Sequence, residues 1–436
     1  MTQDSKKKPN ILLITTDQHR GDCVGFAGRK VKTPHIDDMA RRGTVFSSCI
    51  TSNIVCQPSR ASILTGLLPL THSVCDNGID LPEATGEAGF AGSLAASGCQ
   101  TGFIGKAHFS THHTFQPTGR PECQYSEPEF GADWNGPYMG FNHVELVVEG
   151  HNYWLPTPLP GGLHHSRWYY GDGLGDLRNE RYKTDLGPPS GAPQTFRSAL
   201  PAAWHNSTWI GDRTIEFLRN QGDTPFCLWA SFPDPHHPFD CPEPWSRLHH
   251  PDDVDLPKHR TTDYDRRPWW HRASMENRPQ GNAEVQALRQ NFSRMPTQPD
   301  AQLRQVIANY YGMISQVDHQ IGRINTALHE LGLDDNTLVV FTSDHGEWLG
   351  DHGLMLKGPM AYDGVLRVAM VATGPGVVAG QTVQDPVSTL DLAATFSDYS
   401  GALPLGEHHG RSLRAIAGGV DGSTKAGFFG EHLDAV

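Results

Sequence analysis

The stretch "QVIANYYGMISQVDHQIGRINTALHELGLDDNTLVVFTSDHGEW", residues 305–348, constrains the fold more than any other. Its apolar residues Ile307, Tyr310, Tyr311, Ile314, Val317, Ile321, Ile324 and Leu328 recur at helical spacing. After a polar turn comes the unbroken apolar run Leu338-Val339-Val340-Phe341, which stops at a polar cluster. Such a run reads as a strand buried on both faces, the kind found in parallel sheets covered by helices. The pattern repeats. "PNILLITT" (9–16) ends in "DQHRGDC", and "TPHIDDMARRGTVF" (33–46) predicts a helix starting at Thr33-Pro34 and stopping at Gly43. "SLAASGCQTGFIGKAHF" gives another helix–turn–strand, and "STWIGDRTIEFLRNQGDTPFCLWASFPDPHHPF" places a strand near Phe226 to Phe232. Alternating units of this kind predict an α/β protein with a doubly wound, mostly parallel sheet flanked by helices.

Residues 113–205 and 240–300 interrupt the alternation with Pro, Gly, His, Trp and Arg and no sustained period. Long insertions like these read as pocket walls or lids over a catalytic domain spanning 1–390. The formal net charge of −13 argues against a nucleic-acid binder, which needs a basic stripe. No window approaches the apolar run of about 18 residues that a membrane span requires. The N-terminal "MTQDSKKKPN" has no apolar core of a signal peptide, so a cytoplasmic location is the expectation. The 8 cysteines are dispersed without a C-x-x-C clip, which counts against a zinc ribbon and against disulfides.

Three predicted strands end in short polar clusters: Asp17-Gln18, Asp344-His345, and "PDPHHPF". In open α/β sheets ligands bind beyond the carboxyl ends of the strands, so all three clusters would face one rim. An Asp after a strand is more often a turn former, and a lone His in a loop is usually just solvated. The coincidence of four oxygen and nitrogen donors at corresponding places argues for a divalent metal site. "CQPSRASILTG", residues 56–66, reads as a helix start with Pro58 in its first turn. Free N–H groups there favour an anion, and Arg60 adds a planar fork for an oxyanion. Cys56 itself is open to two readings, a buried small hydrophobe or a low-pKa thiolate.

The same eleven residues resemble the signature of the type I sulfatases of the alkaline phosphatase superfamily. Other elements follow in the family's order: "TTDQ", "GKAH", "PHHPF", "SDHGEWLGDHGLMLKG", "DGVLRVAMVATGPGV", "VSTLDLAATF" and "GRSL". The likeness implies an alkaline phosphatase-like fold. It implies that Cys56 is oxidised by a formylglycine-generating enzyme to formylglycine, whose hydrate attacks sulfur. Asp17, Gln18, Asp344, His345 and position 56 would hold one divalent cation. Arg60 would hold the hydrate and stabilise its loop, while Lys106 and Lys357 bind the sulfate group. His236, helped by Lys357, would contact the substrate and protonate the departing alcohol. His108 would then take the second hydroxyl's proton, expelling sulfate and restoring the aldehyde. Asn77, in "CDNG", falls where the family often has a substrate-binding asparagine, although Asn-Gly is also a plain turn signal. The implied partner is a small sulfate ester, aryl or alkyl; a homo-oligomer is left open.

Two departures matter. Many sulfatases carry Asp-Asp and Asp-Asn where this chain has Asp17-Gln18 and Asp344-His345, which softens the site and lets manganese compete with calcium. Phosphonate monoester hydrolases share these pairs, so phosphonate monoester or phosphodiester hydrolysis is the first rival activity. "GKAH" and "CQPSR" favour the sulfatase reading. Family members also continue further, so residues 391–436 read as the start of a reduced or truncated C-terminal subdomain. A silent oxyanion- or metal-binding protein is the rival of another class; it would need no acid–base set.

Overall fold

The computed structural model describes residues 8–111, 116–148, 162–276, 283–402 and 405–420. The expected C-terminal segment 391–436 therefore lies partly outside the described residues. Strands β1 (Asn10–Thr16), β2 (Thr44–Phe46), β3 (Gln100–Gly105), β4 (His143–Leu146), β5 (Phe226–Ser231), β6 (Thr337–Ser343), β7 (Val371–Thr373) and β8 (Gln381–Val383) form one sheet. Its order is β4-β3-β5-β1-β6-β7-β2-β8. All neighbours run parallel except β7, which is antiparallel to both β6 and β2. The predicted doubly wound, mostly parallel sheet is thus what the chain builds.

The apolar runs are unbroken because both faces of the sheet are covered. Ile11 and Leu13 of β1 join Phe103, Trp229, Leu338 and Val340 in one core. Leu12 and Ile14 point the other way, with Ile104, Leu228, Val339 and Phe341. Helix α1 (Pro34–Arg42), α3 (Asn206–Arg219) and α4 (Asp300–Glu330) cover the second face. On the first lie α2 (Cys56–Thr65) and α5 (Asp391–Ser400), the latter contributing Leu392, Ala393 and Phe396. All eight apolar positions read from the long helix are buried along α4. The predicted start of α1 also holds, and its first free N–H groups are met from outside: Asp318 of α4 accepts from His35 N and Ile36 N. No helix among the described residues is long and apolar enough to cross a membrane.

The two irregular segments hold more structure than their composition suggests. The first contains the edge strand β4 and helices His164–Tyr170 and Gly175–Lys183; the second contains helices Trp269–Glu276 and Ala283–Phe292. These helices are short, at 7, 9, 8 and 10 residues, too short to print a sustained apolar stripe.

Candidate active site

Strand register assembles the site. Thr16 pairs with Ser343, so the residues that follow, Asp17 and Asp344, leave adjacent strands on the same rung. Thr15 pairs with Ser231, and Ser231 pairs with Gly105, the residue before Lys106. Four neighbouring strands, β3, β5, β1 and β6, therefore end in one row at the carboxyl rim, where the sequence placed its polar clusters.

Helix α2 is buried along its whole length and points its N-terminus at this row. It ends at Gly66, whose left-handed φ of 70° lets its N–H reach Ser62 O at 2.8 Å. Its first residue, Cys56, places Sγ 3.1 Å from His345 Nε2 and 3.5 Å from Asp17 Oδ1. One helical turn later Arg60, fully buried, ties the four strand ends together. Its Nε donates to Asp344 Oδ2 (2.9 Å) and Nη2 to Asp17 Oδ2 (3.3 Å). Nη1 donates to Lys106 O (2.6 Å) and Ser231 Oγ (2.7 Å). A guanidinium has five N–H groups, and four of them are spent on this frame.

Donor atoms of Asp17, Cys56, Asp344 and His345 lie within 4.8 Å of one another, all buried. His345 Nδ1 donates to Gly346 O at 2.9 Å, which fixes the tautomer and leaves the Nε2 lone pair facing the cluster. The Asp344 carbonyl is held by Thr51 Oγ1 and Ser59 Oγ, each at 2.6 Å. Two carboxylates and an imidazole lone pair in a dry pocket suit a divalent cation, and the donor set fits one.

Cationic side chains surround the cluster. Lys106 Nζ lies 2.6 Å from Asp17 Oδ2. Burial alone would push the Asp17 carboxyl up, but Lys106, Arg60 and Lys357 outweigh it and hold it well below the usual range. Burial and Asp17 likewise push the Cys56 thiol up, yet Lys357 and Lys106 help bring it below its ordinary value. Lys357 Nζ donates to Gln18 Oε1 (2.7 Å) and to His236 Nε2 (2.9 Å). His236 Nδ1 donates to His237 O, so Nε2 is the acceptor. Burial, then Lys357 and His237, depress His236 far below its normal pKa. The ring is neutral, and Lys357 is the donor in this pair.

Nine of the eleven residues singled out in the sequence, Asp17, Gln18, Cys56, Arg60, Lys106, His236, Asp344, His345 and Lys357, fall in this one connected set. His108 lies two residues past Lys106, buried and at a left-handed φ of 53°. Its segment is held by Glu122, which accepts from Phe109 N (3.0 Å) and Ser110 N (3.2 Å). Asn77 does something more local. Its Oδ1 accepts from Gln57 N at 3.1 Å and so satisfies a free N–H at the start of α2. Sequence reasoning missed Glu122, Ser231, His237 and Glu347. His237 was visible as the second His of "PHHPF", and Ser231 and Glu347 lie inside stretches already singled out, where nothing in their own spacing marks them; Glu122 sits in a segment with no pattern at all.

A family model described as Sulfatase matches residues 9–402. The chain is 28% identical over 452 residues to an arylsulfatase of Clostridium perfringens, covering 98% of this chain and 82% of that one. A multifunctional alkaline phosphatase superfamily protein of Trinickia caryophylli is 28% identical over 424 residues, with 93% and 76% covered. Among solved structures, the phosphonate monoester hydrolase of Agrobacterium radiobacter superposes with a TM-score of 0.74 at 27% identity, covering 95% of this chain and 78% of that one.

Proposed function

The chain belongs to the sulfatase family and is a sulfuric ester hydrolase, and from that premise we propose that it cleaves aryl and small alkyl sulfate monoesters with Cys56 oxidised to formylglycine. The observation that carries this reading is the placement of Cys56 Sγ at the N-terminus of a fully buried helix, 3.1 Å from His345 Nε2 and 3.5 Å from Asp17 Oδ1. A structural cysteine needs none of that polar company.

The hydrated aldehyde would supply a hydroxyl as nucleophile, and a bound divalent cation, calcium with manganese as competitor, would supply charge to activate it. Asp17, Gln18, Asp344 and His345 would hold that cation. Lys106 and Lys357 bind the sulfate oxygens as point charges. Lys357 holds the proton destined for the leaving oxygen, and His236, neutral and 2.9 Å away, orients it and relays it. His108 takes the proton whose loss releases sulfate. Arg60 does less with substrate than its chemistry allows, because its fork is committed to the strand ends.

A second reading is supported by the Asp17-Gln18 and Asp344-His345 pairs and by the likeness to phosphonate monoester hydrolases. Sulfate monoesters and phosphonate monoesters both present a singly charged tetrahedral oxyanion to the same lysines. The deciding experiment is expression with a formylglycine-generating enzyme, then mass spectrometry of the peptide containing Cys56. A loss of about 18 Da relative to the thiol, the change from CH2–SH to CHO, is expected. Aryl sulfate and aryl phosphonate turnover are then compared on the same sample. A larger kcat/KM for the phosphonate would reverse the order of the two activities. An unmodified thiol with no turnover of either would leave a silent binder.

A further inference from the structure

Glu347 lies three residues beyond Asp344, fully buried, with no salt bridge among the described residues. Its partners are N–H donors. Oε1 accepts from Leu349 N at 3.0 Å and from Leu356 N. Oε2 accepts from Nε2 of Gln18, itself fully buried. At the other end of that amide, Gln18 Oε1 accepts from Lys357 Nζ at 2.7 Å and from His237 Nδ1 at 3.1 Å.

The two ends of this chain of hydrogen bonds can only donate. Lysine ammonium and backbone N–H groups have no lone pair to offer. The amide of Gln18 must therefore turn its oxygen to Lys357 and its nitrogen to Glu347. Gln18 stands at a left-handed φ of 62°, with its carbonyl oxygen bound by Tyr310 OH at 2.6 Å, so the backbone gives the side chain little freedom to compensate.

We propose that Glu347 is a positioning residue that sets which end of the Gln18 amide faces the cation-holding residues. This rests on the reading of Gln18 as a ligand to the divalent cation. A carboxylate at 347 presents an acceptor on both oxygens; an amide cannot. In Glu347→Gln the two backbone N–H groups still demand the oxygen, so the new –NH2 meets the –NH2 of Gln18. Gln18 relieves that clash only by flipping, which points its nitrogen at Lys357 and at the cation. The reciprocal swap repairs the polarity: with Gln18→Glu added, Gln at 347 donates to one carboxylate oxygen and the other faces Lys357. The net charge of the pair is unchanged by the double substitution.

The test is calcium and manganese affinity by calorimetric titration of the apo protein, with circular dichroism to check folding. Glu347→Gln is expected to weaken binding by about 10- to 100-fold, as loss of an orienting partner does elsewhere. The double variant Q18E/E347Q is expected to bind within about tenfold of the parent, recovering what the single variant lost. Gln18→Ala separates the two layers of the argument. If Q18A binds calcium and manganese as the parent does, the reading of Gln18 as a ligand fails. If Q18A is weakened while Glu347→Gln binds as the parent does, the role of Glu347 fails. A double variant that fails to fold, or binds no better than Glu347→Gln, also overturns the proposal.

Discussion

Arg60 Nε and Asp344 Oδ2 are 2.9 Å apart, and neither side chain has any solvent exposure. The same guanidinium reaches Asp17 and the strand ends at Lys106 and Ser231. Removing one partner of a buried pair leaves an uncompensated charge, at a cost of about 3–5 kcal/mol. Arg60→Ala is expected to lose stability in that range, read as a shift of the urea midpoint of unmodified protein. Arg60→Lys keeps the charge but cannot span four acceptors with a fork, so it should recover only part of the loss. A variant of either kind with parental stability would mean that the strand ends hold their geometry without Arg60.

Lys357 and His236 make a prediction about leaving groups. The ammonium donates to the His236 Nε2 lone pair at 2.9 Å, so the pair is set to deliver a proton. A nitrophenolate departs without one, whereas an alkoxide does not. Lys357→Ala and His236→Ala should therefore lower turnover of alkyl sulfates by about 10²- to 10⁴-fold, and that of nitrophenyl sulfate far less. The check is the dependence of kcat/KM on leaving-group pKa, which should steepen in both variants. An equal loss for all esters would assign these residues to sulfate binding alone.

The backbone of this site was legible because it obeys local rules. "PNILLITT" and "NTLVVF" are unbroken apolar runs, and the chain turns polar where each strand leaves the core, at Asp17 and Asp344. Pro58 and Gly66 mark the ends of α2 well enough that Cys56 is its first residue. Arg60 was visible as a fork but not as a crosslink, because its four acceptors lie on four strand ends, the farthest 284 residues from it in the chain. Glu122 and Glu347 were invisible for the same reason. Each is a lone acid whose role depends on which N–H groups the fold brings to it. Strand β4 was missed because an edge strand of four residues carries too short a pattern.

Cation binding should feed directly into stability. Asp17, Asp344 and His345 converge within 4.8 Å of one another at one rim, and when no cation is present Arg60 and Lys106 offset the repulsion between the two carboxylates. A cation that binds only the folded state adds about 2.7 kcal/mol at a hundredfold excess over Kd. Treatment with a chelator should lower the melting temperature, and added calcium or manganese should restore it in a concentration-dependent way. His345→Ala should lower the chelated protein's melting temperature too, since it empties a buried position, but the gain on adding metal should largely disappear. A melting temperature indifferent to chelator and metal would argue that the cluster holds no cation.

Glu122 gives a pH dependence with a defined sign. Burial raises its carboxyl from 4.5 to about 7, against the pull of Tyr138 OH and the N–H groups of Phe109, His108 and Ser110. The folded state thus binds this proton more tightly than the unfolded chain does. Below pH 4.5 both states are protonated, and the folded protein bears no cost from this group. As the pH rises from there through about 7, the unfolded chain ionises first and stability is withdrawn. The full difference is about 3 kcal/mol at 1.36 kcal/mol per pH unit, and it is complete above the folded pKa. Glu122→Gln has no charge to bury at this position, so its stability should fall less across that window than the parent's does. The difference between parent and variant, from urea unfolding at a series of pH values, isolates Glu122 from Asp318, which burial also raises to about 7. A parallel pair of pH profiles would show that Glu122 keeps its charge when buried, held by the N–H groups that anchor the segment carrying His108.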